Sequence, residues 1–146
     1  MSSQSTKTPL FTFTFLGLCA LIFLAYCNIC VFYSLYVHLC TLGIDPAWRG
    51  LLVGGSSLAT IVCYLLFSHR LTSANAPRTA FLGAATLIVC GASYLVAQDA
   101  LSILAVRLGN GLGVYLLTAS AMTMLVECIP TQRSGQAFGL YSVAIL

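Results

Sequence analysis

Residues 8–37 read TPLFTFTFLGLCALIFLAYCNICVFYSLYV, and this stretch decides the fold. It lies between Lys7 and His38, and none of its thirty residues carries a full charge at neutral pH. A bilayer core of about 30 Å is crossed by roughly 20 helical residues, whereas the apolar core of a cleaved signal peptide has only about 7–15. The stretch therefore predicts a retained first membrane span over residues 10–37.

The composition of the whole chain agrees with a lipid environment. Of its 146 residues, 60% are hydrophobic and 6% are charged, whereas soluble domains have about 45–50% and about 25%. The net charge of +3 is small and dispersed, and a nucleic-acid-binding groove needs clustered lysine and arginine. We expect the lipid bilayer as the main surroundings of the chain and no nucleic-acid partner.

Four further apolar segments follow the first span. The start of the second span is marked in the sequence, because Asp45 can cap the free backbone amides of the first helical turn and Pro46 has the φ that the first helical position requires. None of the segments alternates polar and apolar residues as the strands of a membrane β-barrel do. The sequence predicts an all-α, polytopic membrane helix bundle. Its parts are a cytoplasmic tail over 1–9 and a bundle over 10–146, with spans at about 10–37, 46–68, 79–97 and 101–126 and an incomplete fifth from about 135.

The fifth segment predicts that the chain belongs to a longer protein. It offers about 12 residues where roughly 20 are needed to cross the bilayer. We therefore expect the amino-terminal transmembrane bundle to be partial.

Charges in the connecting segments predict the orientation, because lysine and arginine are enriched in cytoplasmic loops. One side of the membrane would hold Lys7, Arg70, Arg78 and Arg133, and the other only Arg49. This asymmetry predicts an integral protein of the plasma (inner) membrane with its amino terminus in the cytoplasm.

Arg107 is the only full charge well inside an apolar segment. It lies roughly 9 Å along the helix from Leu101, and a charge at mid-depth costs at least about 2.5–3.5 kcal/mol, somewhat less nearer the edge. Two interpretations stay open. Arg107 faces a polar cavity and binds an anion, a carboxylate or a proton-carrying partner, or its long side chain snorkels to the outer surface.

Other polar residues of the fourth span share the side of Arg107. At about 100° per residue, Asn110, Gly111 and Thr118 fall on that side. We expect them to line a substrate or proton pathway. For Asn110 and Thr118, plain helix-to-helix hydrogen bonding is the open alternative.

The first span offers two candidate faces for the same pathway. Tyr26 and Tyr33 are seven residues apart and share one face, whereas Asn28 points nearly the opposite way. An amide is the costlier group to leave in lipid, but two tyrosines give a larger contact surface. The sequence leaves the choice between Asn28 and the tyrosines open.

Glycine spacing predicts close helix packing, because lipid gives helices no hydrophobic reason to associate and backbone contact must supply the attraction. Three pairs are spaced by four residues, with Gly135 and Gly139 as the last of them. The residues expected at helix contacts are Gly50, Gly54, Gly109 and Gly113.

Catalytic and metal chemistry are not expected. Cys27 and Cys30 form a C-x-x-C pair, but no second pair or histidine pair accompanies it and it lies within a span. No acyl-transfer triad, phosphate loop or metal-ligand cluster stands on a water-facing segment. The sequence thus predicts no enzyme, no metal and no cofactor.

Three motifs together resemble the major facilitator superfamily. Residues 104–113, LAVRLGNGLG, are similar to the signature of its fourth helix, an arginine followed four and six residues later by glycines, with Asn110 where glutamine is usual. Residues 130–139, PTQRSGQAFG, resemble its cytoplasmic link into the fifth helix, and residues 42–46, LGIDP, resemble its first external turn. The likeness implies about the first four and a half of twelve helices.

The loop between the second and third spans departs from the family pattern of a glycine, Asp-Arg and another glycine. Here Tyr64 stands near the first glycine, and His69 precedes Arg70 in place of aspartate. Arg70 and Arg78 are the residues that can be matched, and Arg133 is the basic residue of the next cytoplasmic loop. The departure indicates a divergent branch.

The resemblance implies a secondary transporter that holds its substrate near mid-membrane between two helical halves. In the family, arginine at the position of Arg107 is associated with proton-coupled antiport, so we expect export of a small molecule, a drug or a metabolite. The partners implied are that substrate, protons and the missing carboxy-terminal part of the same transporter. The alternatives are a non-catalytic membrane subunit and a small four-helix dimeric exporter, which usually needs a carboxylate that residues 8–37 lack.

Overall fold

A computed structural model describes residues 12–129 and 133–145, and within these ranges it holds helices and turns and no β-strand. The predicted all-α class is therefore confirmed. The predicted tail over 1–9 lies outside the described residues. The helices are α1 (Phe13–Val31), α2 (Leu35–Thr41), α3 (Pro46–Phe67), α4 (Ala76–Ser93), α5 (Ala100–Cys128) and α6 (Ser134–Ile145).

Three stretches of helix are long and apolar enough to cross a membrane, and they indicate an integral membrane protein. They are Phe13–Thr41, which joins α1 to α2 through a 3₁₀ turn, Pro46–Arg70 and Ala100–Cys128. These correspond to the first, second and fourth predicted spans. Where the third was expected, α4 has 18 residues and carries Pro77 and Arg78 in its first turn, so its crossing of the membrane stays a prediction.

Local sequence explains where the helices begin and end. The carboxylate of Asp45 accepts a hydrogen bond of 2.8 Å from Ala47 N, and Pro46 follows it in the first turn of α3, so the predicted start is confirmed. Asp99 caps α5 in the same way, over 2.9 Å to a backbone amide of the first turn. After α2, Gly43 has a φ of 69°, a left-handed conformation that glycine adopts without steric cost.

Helix α5 is the centre of the bundle and packs against α1, α3 and α4. Helices α3 and α5 start at the same end, because Leu52 pairs with Arg107 and, further along, Tyr64 pairs with Thr118. Helix α4 runs the opposite way, and α6 packs on α1. Asp45 therefore lies at the end of the bundle opposite to Arg70.

Apolar side chains fill both ends of the bundle. At one end, α1, α5 and α6 meet around Phe15, Ile22 and Leu125. At the other, Leu39 and Leu52 are the most buried members of a second cluster. Polar side chains are concentrated between these two clusters, beside α5.

Two glycines set the closest approaches to neighbouring helices. A Cβ on Gly111 would collide with the carbonyl oxygen of Ser56 and lie 2.7 Å from the Cβ of Ala59, so α3 crosses α5 backbone to backbone. A Cβ on Gly83 would lie 2.6 Å from the amide nitrogen of Leu117, which fixes the α4–α5 crossing. Both crossings require a residue without a side chain.

The glycine pairs predicted from spacing divide into two groups. Gly109 and Gly113 do face α4, where an added Cβ would lie 3.0 Å from side-chain atoms of Cys90 and Leu87 respectively. Gly50 and Gly54 make no such contact, because a Cβ there meets nothing within 4 Å among the described residues, and their role in helix packing stays a prediction. The same is true of Gly135 and Gly139. Their helix faces point away from the rest of the described bundle.

Candidate functional site

Arg107 is 5% exposed and its guanidinium is held by the backbone of α3. Its Nε donates to the carbonyl oxygen of Leu52 at 3.0 Å, and one terminal nitrogen donates to that of Val53. The side chain therefore reaches across to α3 and does not extend to the end of its own helix. This geometry differs from the snorkelling alternative.

The contacts of Arg107 are sufficient to offset the burial of its charge. A hydrogen bond from a charged donor contributes about 1.5–3 kcal/mol, so two contribute roughly 3–6 kcal/mol. The guanidinium carbon also lies 4.9 Å from the ring centroid of Phe32, a cation–π contact worth about 0.5–2 kcal/mol. The sum is comparable with the penalty of at least about 2.5–3.5 kcal/mol for an intramembrane arginine.

An aromatic pair encloses the outer side of the guanidinium. The rings of Phe32 and Tyr94 lie 4.8 Å apart between centroids. The Tyr94 hydroxyl is buried beside Arg107 and interacts electrostatically with the guanidinium. A buried charge and a buried hydroxyl therefore lie together at this end of the site.

Asn110 connects the site to the first span. It is 1% exposed, and its Nδ2 donates to Oδ1 of Asn28 at 3.2 Å. This contact is the helix-to-helix bond that stood as the alternative for Asn110, and it gives the side-chain oxygen of Asn28 a partner.

A cavity of about 250 Å³ lies beside Arg107, between α1, α3 and α5. Four of the seven residues predicted for the pathway line it, namely Tyr26, Arg107, Asn110 and Thr118. The wall contributed by α3 has four hydroxyl-bearing side chains, Ser56, Ser57, Thr60 and Tyr64, together with Ile61. The site is therefore a hydroxyl-lined cavity with one cation at its edge.

Hydrogen bonds between α3 and α5 hold this wall in place. The hydroxyl of Thr60 is shared between the carbonyl oxygens of Ser56 and Gly111, each at 2.9 Å. The hydroxyl of Thr118 donates its only hydrogen to a carbonyl oxygen of its own helix at 2.7 Å. In the second bond, 3.1 Å between the hydroxyl oxygens of Tyr64 and Thr118, Tyr64 is therefore the donor and Thr118 the acceptor. The polar atoms at the α3–α5 seam are thus paired within the bundle.

The other three predicted residues lie elsewhere. Gly111 packs against the α3 backbone and does not line the cavity, because the close crossing leaves no open space there. Tyr33 is 82% exposed, since the 3₁₀ turn Phe32–Ser34 changes the rotation per residue and breaks the face that it would share with Tyr26. Asn28 lines a separate apolar groove of about 430 Å³ while bonding Asn110.

Sequence reasoning missed the α3 wall. Ser56, Thr60 and Tyr64 are spaced by four residues, a spacing that places side chains on one helix face, so the signal was present in the sequence. Phe32 and Tyr94 carried no such signal, since they come from different helices and only the fold brings them to Arg107.

The basic residues expected at the cytoplasmic loops lie away from this cavity. Arg70 borders a separate, mainly apolar cavity of about 310 Å³ between α3, α4 and α5. Arg78 is exposed in the first turn of α4. Arg133 directly precedes α6, and residues 130–132 of the same motif lie outside the described residues.

Compared with known proteins, the chain matches no family, and no curated protein or solved structure matches it significantly. The likeness to the major facilitator superfamily therefore stays a prediction that depends on the three motifs quoted above.

Proposed function

We propose that the chain forms amino-terminal helices of a secondary active transporter of the major facilitator type, a proton-coupled exporter of a small molecule. The observation that carries the proposal is the buried guanidinium of Arg107 beside a hydroxyl-lined cavity at the centre of three apolar helices. Polar and charged groups within membrane helices mark substrate or ion pathways in transporters.

The packing supports a rigid unit that moves around the cavity. Close crossings at Gly111 and Gly83 join α3 and α4 to α5, and such backbone contact resists sliding of one helix along another. Alternating access is largely rigid-body rocking of one helical bundle against another around a central site. In the proposed mechanism, α3, α4 and α5 rock together and carry one wall of the site.

The proposed proton coupling places a requirement on the rest of the transporter. The chain has three carboxylates, of which Asp45 and Asp99 cap helix ends and Glu127 lies exposed in the last turn of α5. No carboxylate and no histidine lines the described cavity, so the proposed mechanism places the proton on the substrate or on helices contributed by the carboxy-terminal part. Arg107 would then respond to that charge as the proton binds and leaves.

Everted membrane vesicles that contain the complete gene product test this proposal. A respiration-driven pH gradient is followed by acridine orange quenching, and ethidium, glucose or gluconate is added as a cationic, neutral or anionic probe. We expect at least one probe to collapse the gradient with the wild type and none with Arg107→Leu at equal membrane abundance.

Arg49→Leu is the matched control. Arg49 is likewise held by a backbone carbonyl, over 2.7 Å to Ile44, and by an aromatic ring, with its guanidinium carbon 6.0 Å from the centroid of Tyr36. It lies outside the cavity, so its variant should respond as the wild type does. A wild type that responds to no probe, or an Arg107→Leu variant that responds fully, would contradict the proposal.

A further inference from the structure

The charge that lines the cavity is positive only. Arg107 is the only residue with a full charge among the described residues that line it. The three carboxylates of the chain, Asp45, Asp99 and Glu127, belong to helix ends and line none of its wall. The cavity therefore presents a net positive charge to anything that enters.

The backbone contacts of Arg107 position its charge without neutralising it. Carbonyl oxygens accept from Nε and from one terminal nitrogen, whereas a guanidinium has five N–H donors. A carbonyl is a dipole, and only an anion removes the net charge. Ionised partners form shorter and roughly twofold stronger hydrogen bonds with arginine than neutral ones do, so an anion has a clear advantage at this position.

The remaining wall favours a ligand that also carries hydroxyl groups. Six hydroxyl-bearing side chains line the cavity, Tyr26, Ser56, Ser57, Thr60, Tyr64 and Thr118. Thr60, Tyr64 and Thr118 already donate within the bundle and can only accept further hydrogen bonds. The hydroxyls of Tyr26, Ser56 and Ser57 can donate or accept, so the wall offers partners of both kinds to a ligand with several hydroxyls. The volume of about 250 Å³ is below the 300–1,000 Å³ that is usual for drug-sized ligands.

We infer that this cavity binds a small organic anion with several hydroxyl groups, such as a sugar acid, with its negative charge at Arg107 and its hydroxyls along the α3 wall. The inference rests on the proposed function, whose substrate class it specifies. It favours an anionic over a cationic cargo, since no anionic side chain of this chain faces the cavity.

Three probes of matched size and different charge test the inference on the purified, complete gene product in detergent. They are gluconate, glucose and glucosamine, which have charges of −1, 0 and +1 at neutral pH. We expect a saturable rise of the melting temperature with gluconate, about 1–2 °C at ten times its Kd for a protein of twelve helices. Glucose should give a smaller rise at the same concentration, and glucosamine none.

Two variants assign the effect to the cavity. Arg107→Gln should abolish the gluconate response, whereas Arg49→Gln, which removes an equal charge outside the cavity, should keep it. Should Arg107→Gln fail to fold, Ser57→Ala removes one hydroxyl from the exposed cavity wall and should weaken gluconate binding about three- to tenfold.

Two results would overturn the inference: glucosamine stabilising the protein as much as gluconate, or gluconate giving no shift. The vesicle assay separates this failure from failure of the proposed function. Proton-coupled ethidium flux without gluconate binding would support the proposed transporter and contradict the anion site. Saturable gluconate binding without any proton-coupled flux would support the anion site and contradict the proposed transporter.

Discussion

The crossing of α3 over α5 gives the sharpest stability prediction, because Gly111→Ala adds a single methyl group where the backbone of α3 already stands. That methyl would overlap the carbonyl oxygen of Ser56 and lie 2.7 Å from the Cβ of Ala59. Neither atom is the end of a flexible side chain, so the helices must separate. Overpacking of this kind costs about 1–3 kcal/mol.

Separation also weakens the hydrogen bond from Thr60 to the carbonyl oxygen of Gly111, now 2.9 Å. Such interhelical bonds in membranes contribute about 0.6 kcal/mol on average. We expect Gly111→Ala to lower the free energy of unfolding by roughly 2–3.5 kcal/mol. Titration with SDS from mild-detergent micelles, followed by the fluorescence of Trp48, the one tryptophan of the chain, measures the change.

Gly54→Ala is the matched control on α3, since a Cβ there meets nothing within 4 Å among the described residues. Replacing glycine by alanine within a helix should then stabilise the control slightly, by about 0.5–1 kcal/mol. If Gly111→Ala unfolds at the same SDS fraction as Gly54→Ala, the two backbones do not cross closely and the account of the seam is wrong.

Three further predictions concern α4, α5 and α1. The methyl group of Gly83→Ala would lie 2.6 Å from a backbone nitrogen of α5, so this variant should destabilise the bundle by about 1–3 kcal/mol in the same titration. Gly91→Ala is its control and should not destabilise the bundle, because a Cβ at Gly91 meets nothing within 4 Å among the described residues. Hydrogen bonds from the backbone amide and the hydroxyl of Ser102 lower the pKa of Asp99 below its ordinary value. The ionised carboxylate of Asp99 should therefore stabilise the protein above the pKa of the unfolded state, and this stabilisation should decline as the pH falls through the pKa of the folded state. Melting curves recorded below about pH 5 should show the decline in the wild type and not in Asp99→Asn. A double-mutant cycle that replaces Asn28 and Asn110 by leucine should give a coupling of about 0.6 kcal/mol, and strict additivity would exclude the bond between them.

Helix starts were the part of the fold most accessible from sequence. Asp45 and Pro46 are a local signal, and α3 begins where they predict. The third segment was placed less well, because α4 starts at Ala76 and ends at Ser93 rather than running over 79–97. Proline is tolerated in the first turn of a helix, so Pro77 lies inside α4 rather than before it.

The site was predicted only as far as a single helix allows. Helical spacing places Arg107, Asn110 and Thr118 on one side of α5, and in the structure all three line the cavity. The same spacing assigned Gly111 to the cavity, where the backbone of α3 in fact fills the space. Periodicity gives the direction of a side chain along one helix, and the distance to the neighbouring helix comes only from the packed bundle.

The first span shows a second limit of periodicity. Seven residues separate Tyr26 from Tyr33, and an uninterrupted helix would bring them to one face. The 3₁₀ turn Phe32–Ser34 interrupts it, so Tyr26 lines the cavity and Tyr33 is exposed. No proline or glycine marks that turn in the sequence.

Water access to the cavity beside Arg107 is the central claim, and thiol labelling in intact membranes tests it most directly. In a variant whose native cysteines are replaced by serine, Ser57→Cys places one thiol on the cavity wall, and Val89→Cys places one on the exposed face of α4, where valine is 64% exposed. The account predicts that a membrane-impermeant anionic methanethiosulfonate labels Ser57→Cys rapidly and Val89→Cys hardly at all. Equal labelling of the two positions, or none at Ser57→Cys, would contradict it.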